Sequence, residues 1–408
     1  MLMRVRLLVD PQYNSCMKPR KIAMLMRQFS AHGGLELYAH KVVEGLLDSG
    51  IAVTVVCQEK DSDFSHRLLD FKAIESAPKT KNKRVRLEHL FRAGNETLQE
   101  LSDVDLIHSQ HCPSAHCDVV TFHNHTTARL SKVGLWWEVL LNEKKRKIIP
   151  AYRLREMQDE ILCRRAHSLI FPAEVMKEDF FQNFPFLEGP PPKPYVVAYP
   201  GASLQSTITE LSSTSNGHQS TEVFNFLFVG RGFRKKGLDI LLQACAILKA
   251  RTPKKFTLFI AGLRAKTADK LRLSMMGLDG YVQYLGFQKD MELVYQKAQS
   301  IILPSRVEPF GMAPIQGMQR GLVPIVSKVS GVAEALQNGH DSILLQDQLS
   351  APELAQHMLN LMSDSALFQR LCQNAKLSSA KISWEQTVIQ TIKAYEIALT
   401  VKNSGKTP

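Results

Sequence analysis

The alternation of strand and helix patterns constrains the fold of this 408-residue chain more than any other feature. Residues 21–30 predict a buried strand, residues 36–48 a helix with an apolar stripe, and residues 52–57 the next strand. A strand–helix–strand unit of this length predicts parallel strands with helices on the faces of the sheet. The first half of the chain is therefore expected to form an α/β domain.

The second half repeats this scheme after a polar segment rich in serine and threonine. A strand at 224–230 precedes a helix at 237–249, and further strands follow at 256–261, 281–285, 300–303, 323–326 and 342–345. We expect two doubly wound, Rossmann-like domains that face a central cleft, where such sheets bind ligands. The predicted division is an N-terminal extension at 1–20, a first domain at 21–203, a linker at 204–222, a second domain at 223–382, and a C-terminal helix and tail at 383–408.

The charge balance points to an anionic partner, because 51 lysines and arginines outnumber 39 aspartates and glutamates. A nucleic-acid partner is not expected, since the cations concentrate at loops and in one amphipathic stretch rather than alternating with aromatic residues on a sheet. No apolar run reaches the roughly 20 residues of a membrane span. The seven scattered cysteines are typical of reduced thiols in the cytoplasm.

The first motif, at 228–237, reads FVGRGFRKKG and places four cations between a strand and a helix. Glycines let a ligand approach the main chain closely, and a helix N-terminus favours anions. Arg231 and Lys236 would add charge-assisted hydrogen bonds to phosphate oxygens. The alternative for this string alone is a solvated basic turn.

The second motif, at 304–316, reads PSRVEPFGMAPIQ and also joins a strand to a helix. The N–H groups of Gly311, Met312 and Ala313 are expected to point into the cleft, where they suit a diphosphate. Glu308 precedes them and suits the hydrogen bonds of sugar hydroxyls. The alternative for this motif alone is a helix cap with an acidic neighbour.

In this order, the two motifs resemble the nucleotide-sugar half of the retaining GT-B glycosyltransferases of family 4. The first half of the chain is similar to the same family at residues 33–36 (GGLE) and 121–123 (TFH). In layout the chain resembles the lipopolysaccharide core glucosyltransferases and the phosphatidylinositol mannosyltransferases. The resemblance implies a GT-B fold and a metal-independent hexosyltransferase that uses a nucleotide diphosphate sugar as co-substrate and retains the anomeric configuration.

The resemblance also implies a role for each matching residue. Arg231 and Lys236 would hold the donor diphosphate and stabilise the charge of the leaving group. Glu308 would hold hydroxyls of the donor sugar, and His123 would lie near the reacting centre; these four are the expected catalytic residues. The expected donor-binding residues are Gly33, Gly34, Arg231, Lys236, Glu308, Phe310, Gly311, Met312 and Gln316.

Gln316 departs from the family pattern, which has a second glutamate at this position. The family residue normally holds the ribose, and glutamine keeps one acceptor oxygen while it adds an NH2 donor. We expect weakened or altered nucleotide binding. The alternatives are a catalytically weak or inactive sugar-nucleotide-binding protein and a glycosyltransferase that acts on a soluble acceptor.

A cluster of histidines and cysteines between residues 108 and 125 invites a zinc interpretation. Its side chains alternate between the faces of strands, however, so few of them converge. The segment also lacks the CxxC and HExxH spacings of common zinc sites. We expect neither a metal nor another cofactor, and we interpret the segment as the lining of an acceptor pocket.

The segment at about 129–165 combines an apolar patch with a cationic run and is expected to face a membrane. Its candidate membrane and acceptor residues are Trp136, Trp137, Lys144, Lys145, Arg146 and Lys147. Tryptophans beside such a run suit an anionic membrane surface. The alternative is an amphipathic helix that packs Trp137 in the core. With the resemblance, this segment implies a glycolipid or lipopolysaccharide acceptor and a cytoplasmic protein, peripheral at the inner face of the plasma membrane.

Overall fold

In a computed structural model, the described residues are 18–76, 80, 82–134, 136–202 and 223–405. Residues 1–17 of the predicted extension and the whole predicted linker at 204–222 lie outside them. Within this part of the chain, no helix combines the length and the apolar character needed to cross a membrane.

The first domain is built on a seven-stranded parallel sheet with the strand order β5-β3-β1-β6-β7-β8-β9. Its elements, in chain order, are β1 Lys21–Leu25, β2 Gln28–Ser30, α1 Leu35–Asp48, β3 Ala52–Cys57, β4 Glu59–Asp61, β5 Leu69–Ala73, α2 Lys83–Gln99, β6 Leu106–Ser109, β7 Val119–Thr121, α3 Thr127–Ser131, α4 Trp136–Ile148, α5 Pro150–Arg165, β8 Ser168–Phe171, α6 Glu174–Asn183, a 3-10 turn at Pro185–Glu188, and β9 Tyr195–Val197.

The predicted strand at 21–30 is two strands in the structure. β1 pairs with β3 and β6 in the middle of the large sheet, which explains its continuous apolar sequence. β2 leaves that sheet and pairs with β4, residue Phe29 opposite Lys60. The chain therefore turns away from the large sheet after Leu25, at the carboxyl edge where ligands bind in open α/β sheets.

The second domain has a six-stranded parallel sheet with the strand order β12-β11-β10-β13-β14-β15. Its elements are β10 Val223–Val229, α7 Leu238–Arg251, β11 Lys255–Ala261, α8 Thr267–Met275, β12 Val282–Gly286, α9 Glu292–Tyr295, β13 Ser300–Leu303, α10 Met312–Gln319, β14 Val323–Ser327, a 3-10 turn at Gly331–Ala335, β15 Ile343–Leu345, α11 Ala351–Ser363 and α12 Ser365–Ser379. The predicted strands and the helix of this half are confirmed to within two residues at each end. Both sheets confirm the prediction of two Rossmann-like domains.

The last helix, α13 at Trp384–Asn403, returns from the second domain to the first. Its buried residues include Val388, Tyr395 and Ala398, which belong to the same hydrophobic core as β1, β3 and α1. The Tyr395 hydroxyl lies 2.8 Å from Nδ1 of His108 on β6. The C-terminal helix is therefore part of the first domain's core.

Glu334 connects the two domains near the cleft. Its carboxylate accepts hydrogen bonds from the main-chain N–H groups of Glu174 and Val175, at 2.7 and 2.8 Å. The Tyr199 hydroxyl donates a third hydrogen bond to it, at 3.2 Å. A carboxylate at the start of a helix satisfies N–H groups that have no partner within the helix, so this contact stabilises α6 and the domain junction together.

Candidate functional site

The loop between β10 and α7 carries the first cationic motif. Gly237 ends this loop with a φ of 73°, a left-handed conformation that favours glycine. A Cβ atom at Gly237 would overlap the main-chain oxygen of Pro304, at the end of β13. Close main-chain contact at Gly237 therefore brings the first motif against the second.

The loop between β13 and α10 carries the second motif. Its main chain is held by the N–H group of Gly331, which donates to the oxygen of Glu308 at 3.2 Å, and by the N–H group of Val332, which donates to the oxygen of Phe310 at 2.8 Å. Gly311 precedes α10 with a φ of 100°, and a Cβ atom there would press on the side chain of Glu308. The conformation of this loop thus presents Glu308 and the first N–H groups of α10 at the same edge.

Lys236 and Glu308 form the centre of the candidate site. The Lys236 Nζ atom lies 2.7 Å from Oε2 of Glu308, and the hydroxyl of Ser305 lies 3.4 Å from the same oxygen. Glu308 is only 7% exposed, so this carboxylate is largely removed from water. The contact confirms that the two motifs meet, although they are about 70 residues apart in the sequence, and it leaves an ammonium and a carboxylate at the carboxyl edge of the sheet.

Arg231 of the first cationic loop is exposed, and its guanidinium lies 5.8 Å from the centre of the Phe287 ring. A second arginine, Arg306, is placed quite differently. It forms a bidentate ion pair with Asp239 on α7, with both N–O distances 2.7 Å, and donates to the main-chain oxygen of Arg234 at 2.6 Å. Sequence reasoning missed Arg306, which fastens the first cationic loop to the second motif.

Phe310, Met312 and Gln316 follow Glu308 along the second motif. Phe310 is buried and its ring stacks on that of Tyr199, with ring centres 5.8 Å apart. Met312 is half-buried and begins α10, so its N–H group has no helical acceptor. Gln316 accepts a hydrogen bond through Oε1 from the Tyr295 hydroxyl, at 2.9 Å.

The Gln316 contact changes what its amide offers a ligand. Burial raises the pKa of Tyr295 well above its usual value, so its hydroxyl stays protonated and remains a donor. One lone pair of Oε1 is therefore already used. Among the described residues, the NH2 group of Gln316 has no hydrogen-bond partner, so Gln316 presents chiefly a donor where the family pattern presents a carboxylate.

His123 lies at the carboxyl edge of the first domain, just after β7. Its Nε2 atom is 2.7 Å from Oε1 of Gln110, and its ring packs edge-on against Tyr38, with ring centres 5.0 Å apart. Burial holds the pKa of His123 well below its usual value. The ring is therefore neutral at pH 7, with Nε2–H donating to Gln110 and Nδ1 left as an acceptor.

Gly33 and Gly34 lie at the same edge of the first domain. Both directly precede α1, and the main-chain oxygen of Gly34 accepts from the N–H group of Tyr38 at 3.1 Å. The ring of Tyr38 contacts His123, so Tyr38 links this turn to His123. The structure thus brings the first-domain candidates together at one edge.

Two other histidines of the predicted acceptor segment, His108 and His125, contact different side chains. His108 contacts Tyr395 and Thr121, and His125 contacts Asp179 at 2.8 Å. Burial lowers the pKa of His108 to about 3, so its ring stays neutral. Within the described ranges, no group of three histidine, cysteine or acidic side chains is arranged to hold a metal ion.

The helix α4 exposes its apolar residues. The side chains of Trp136 and Trp137 are 76% and 45% exposed, and none of the residues of this helix is buried where the structure describes them. The alternative in which Trp137 packs in the core is therefore wrong. Glu138 of α4 forms an ion pair with Arg234 at 2.8 Å, which links this exposed helix to the first cationic loop.

The cations after the tryptophans differ in what they contact. Arg146 is half-buried and forms ion pairs with Glu143 and Glu156, at 3.1 and 2.6 Å. Lys144, Lys145 and Lys147 are exposed. Arg146 therefore holds α4 to α5, and the three lysines are the cations of this helix that face solvent.

Comparisons with known proteins agree with this arrangement. Residues 32–205 match the domain family Glycosyltransferase Family 4, and residues 213–378 match Glycosyl transferases group 1. The crystal structure of WaaG, a glycosyltransferase involved in lipopolysaccharide biosynthesis, aligns over 91% of this chain and 98% of its own, with a TM-score of 0.71 and 16% identity. The Anabaena protein HepE, crystallised with UDP and glucose, aligns over 92% of this chain and 99% of its own, with a TM-score of 0.66 and 16% identity.

Curated relatives match over a shorter part. The O-antigen chain mannosyltransferase B of Escherichia coli is 27% identical over 42% of this chain and 45% of its own. A D-inositol 3-phosphate glycosyltransferase of an Arthrobacter species is 28% identical over 43% of each chain. The chain thus spans less than half the length of these relatives.

Two Rossmann-like domains that face each other, with a cationic loop and a carboxylate at the cleft, define a GT-B protein. The chain belongs to the GT-B glycosyltransferases of group 1 and family 4, since the two domain families together account for most of its length.

Proposed function

We propose that this protein is a retaining glycosyltransferase that moves a hexose from a nucleotide diphosphate sugar to a lipid-linked acceptor, such as lipopolysaccharide core. The observation that carries the proposal is the contact of Lys236 with Glu308 at the carboxyl edge of the second sheet. A cation for the diphosphate and a carboxylate for sugar hydroxyls are the two groups that such a donor needs side by side. The HepE structures, which hold UDP-glucose or UDP with glucose, support a donor of this class.

The proposed reaction uses the charges of the second domain. The bond between the anomeric carbon and the diphosphate oxygen breaks, and negative charge develops on the leaving phosphate. Lys236, Arg231 and the N–H groups at the start of α10 stabilise that charge, which is the role a metal plays in other transferases. Glu308 holds the hydroxyls of the sugar and keeps its ring in place.

Retention follows from attack on the face that the phosphate leaves. The acceptor oxygen forms its bond to the anomeric carbon on that face, and its proton passes to an oxygen of the departing phosphate. His123 is neutral, so it offers a hydrogen-bond acceptor that orients the donor sugar or the acceptor rather than a positive charge.

The product stereochemistry tests this proposal. Time-resolved proton NMR with α-linked nucleotide sugars, in buffer with and without EDTA, is expected to show an α-linked product at equal rates. A β-linked product, or an activity that disappears with EDTA and returns with a divalent ion, would contradict the retaining, metal-independent reaction. A complete lack of turnover with donor binding intact would favour the binding-only alternative.

The proposed acceptor lies in a membrane, and the exposed helix α4 supports this part. Like Trp136 and Trp137, several apolar residues of α4, of α5 and of the junction between them are exposed, namely Leu140, Leu141, Ile148, Ile149, Tyr152 and Met157. An exposed apolar face beside several lysines suits the boundary between acyl chains and anionic headgroups. The lipopolysaccharide and O-antigen relatives supply the acceptor class, and we place the protein at the cytoplasmic face of the inner membrane.

Liposome flotation tests the membrane contact. At low salt, the wild-type protein is expected to float with vesicles that contain anionic lipid, and the double variant Trp136→Ser with Trp137→Ser to float at least about fivefold less. The control is Leu377→Ser, because Leu377 on α12 is also 69% exposed but lies in the second domain. Equal flotation of the double variant and the control, or no flotation of the wild type, would remove the membrane from the proposal.

The binding-only alternative is based on Gln316, which replaces the glutamate of the family pattern. The variant Gln316→Glu tests how much this replacement weakens nucleotide binding. The new carboxylate would accept charge-assisted hydrogen bonds from ribose hydroxyls, so we expect calorimetry to show a Kd for nucleoside diphosphate about five- to tenfold lower. Gln316→Ala is the matched variant and should raise the Kd. An unchanged or higher Kd for Gln316→Glu would show that the donor amide of Gln316 serves the nucleotide better than a carboxylate.

A further inference from the structure

A cavity of about 790 Å³ has Lys235, the neighbour of Lys236, in its wall, and its described lining includes none of the expected donor-binding residues. The helices α3, α4 and α5 of the first domain form most of its wall, and Lys235 of the second domain closes one side. This volume lies within the range of sites that bind small molecules. The cavity is therefore large enough for one or two sugar units.

The wall of the cavity is strongly cationic. Lys145, Arg146, Arg155 and Lys235 line it, and Asp159 is the one acidic residue in its described lining. Arg146 is neutralised by its two glutamates. In contrast, the described residues offer neither the guanidinium of Arg155 nor the ammonium of Lys235 an ion pair or a hydrogen bond, although both side chains are partly buried.

The pKa of Lys235 reflects both its burial and the charges around it. Burial lowers its pKa; the carboxylate of Glu308 opposes that effect, whereas the charges of Lys236 and Arg155 add to it. Partly buried cations that repel one another, and that no described residue contacts in a direct ion pair, favour the binding of an anion between them.

The lining of the cavity also offers hydrogen bonds. Asp159 uses Oδ1 to contact Nε2 of His111 at 2.9 Å, and its Oδ2 atom is buried without a partner among the described residues. The hydroxyl of Thr127 is also buried without a hydrogen-bond partner among the described residues. Buried polar atoms of this kind are normally paired, so both atoms favour a ligand that carries hydroxyl groups.

The cavity is connected to the proposed reaction centre at two points. Nδ1 of His111 accepts a hydrogen bond from the N–H group of His123 at 3.1 Å, so Asp159 is linked through His111 to the histidine that is proposed to orient the donor sugar or the acceptor. Lys235 directly precedes Lys236 of the donor site. A molecule in this cavity would thus lie next to the proposed positions of the diphosphate and the transferred sugar.

We propose that this cavity is the acceptor site and that the acceptor group it binds is a sugar with an anionic substituent, a phosphate or a carboxylate, held between Arg155 and Lys235. The hydroxyls of that sugar bond to the wall formed by Asp159 and Thr127. The inference rests on the proposed transferase function, and it restricts the acceptor of that function to acidic or phosphorylated sugars.

Calorimetry without donor tests the inference separately from the donor site. The probes are glucose, galactose and mannose, each compared with its 6-phosphate and its uronic acid, and inorganic phosphate. We expect the wild type to bind at least one anionic form about tenfold or more tightly than its neutral parent. Whether the 6-phosphates or the uronic acids bind more tightly then identifies the anionic group. Inorganic phosphate alone should bind more weakly, because it lacks the hydroxyls that face Asp159.

Variants of α5 provide the matched comparison. Arg155→Ala should remove the preference for the anionic form, Arg155→Lys should restore part of it, and Arg153→Ala, an exposed position outside the cavity, should leave it unchanged. Equal binding of neutral and anionic sugars, no binding of any probe, or equal effects of Arg155→Ala and Arg153→Ala would overturn the inference.

Titration of the same proteins with UDP and GDP reports on the donor site. Nucleotide binding without a preference for anionic sugars would reject the acceptor inference and leave the transferase proposal standing. Binding of anionic sugars by a protein that binds no nucleotide would instead reject the transferase proposal.

Discussion

Lys236→Ala is expected to lower the rate of donor turnover by about 100-fold or more, the largest effect on activity that any single substitution in this chain should produce. The Lys236 ammonium lies 2.7 Å from Glu308, and in the proposed reaction it faces the leaving phosphate as that phosphate gains charge. Loss of one preorganised contact to a developing charge typically costs about 100- to 1,000-fold in rate. Since the charge grows in the transition state, the loss should appear mainly in kcat.

The comparison variants for this prediction are Glu308→Gln and Lys297→Ala. Glu308→Gln keeps a side chain that accepts from Lys236 but removes the negative charge, so we expect an intermediate loss of activity. Lys297 is exposed, and its ammonium has no partner among the residues that the structure describes, so removal of this side chain should not change turnover. Turnover of Lys236→Ala within about twofold of the wild type would mean that the two motifs do not form the donor site.

Gly237→Ala is expected to cause the largest loss of stability, a decrease of about 3 kcal/mol or more in the free energy of unfolding. An alanine at a φ of 73° is strained by about 1–2 kcal/mol. Its Cβ atom would also overlap the main-chain oxygen of Pro304, and a main chain packed at the end of a buried strand cannot move aside cheaply. The loop that carries Lys236 would then separate from the loop that carries Glu308.

Gly280→Ala is the matched control for this second prediction. Gly280 has a φ of 79°, nearly the same as Gly237, but a Cβ atom there would meet nothing within 4 Å. Denaturant unfolding followed by circular dichroism should therefore show a small loss of stability for Gly280→Ala and a much larger one for Gly237→Ala. If both variants lost the same amount, the contact with Pro304 would contribute nothing to stability.

The sequence allowed the order of the elements and the meeting of the two motifs to be predicted, because both depend on local patterns. Strands in parallel sheets are buried on both faces and appear as short apolar runs between amphipathic helices. Motifs that follow such strands must lie at one edge of the sheet. This is why Lys236 and Glu308 could be placed together without a structure.

Contacts between distant parts of the chain could not be predicted in this way. Nothing local to Arg306 shows that it binds Asp239, and nothing in the sequence near Gln316 shows that Tyr295 uses its carbonyl oxygen. The partner of each polar side chain depends on packing between helices that the sequence pattern does not fix. The sequence pattern also did not decide whether Trp136 is exposed, since an apolar patch on a helix is compatible with a core and with a surface.

The position of a nucleoside diphosphate in a crystal of the protein tests the central claim most directly. We predict its phosphates within hydrogen-bonding distance of Lys236 Nζ and of the N–H groups that begin α10, with Arg231 turned from Phe287 toward them. Phosphates bound away from both loops, in crystals soaked well above the measured Kd, would contradict the donor site and the transferase function built on it.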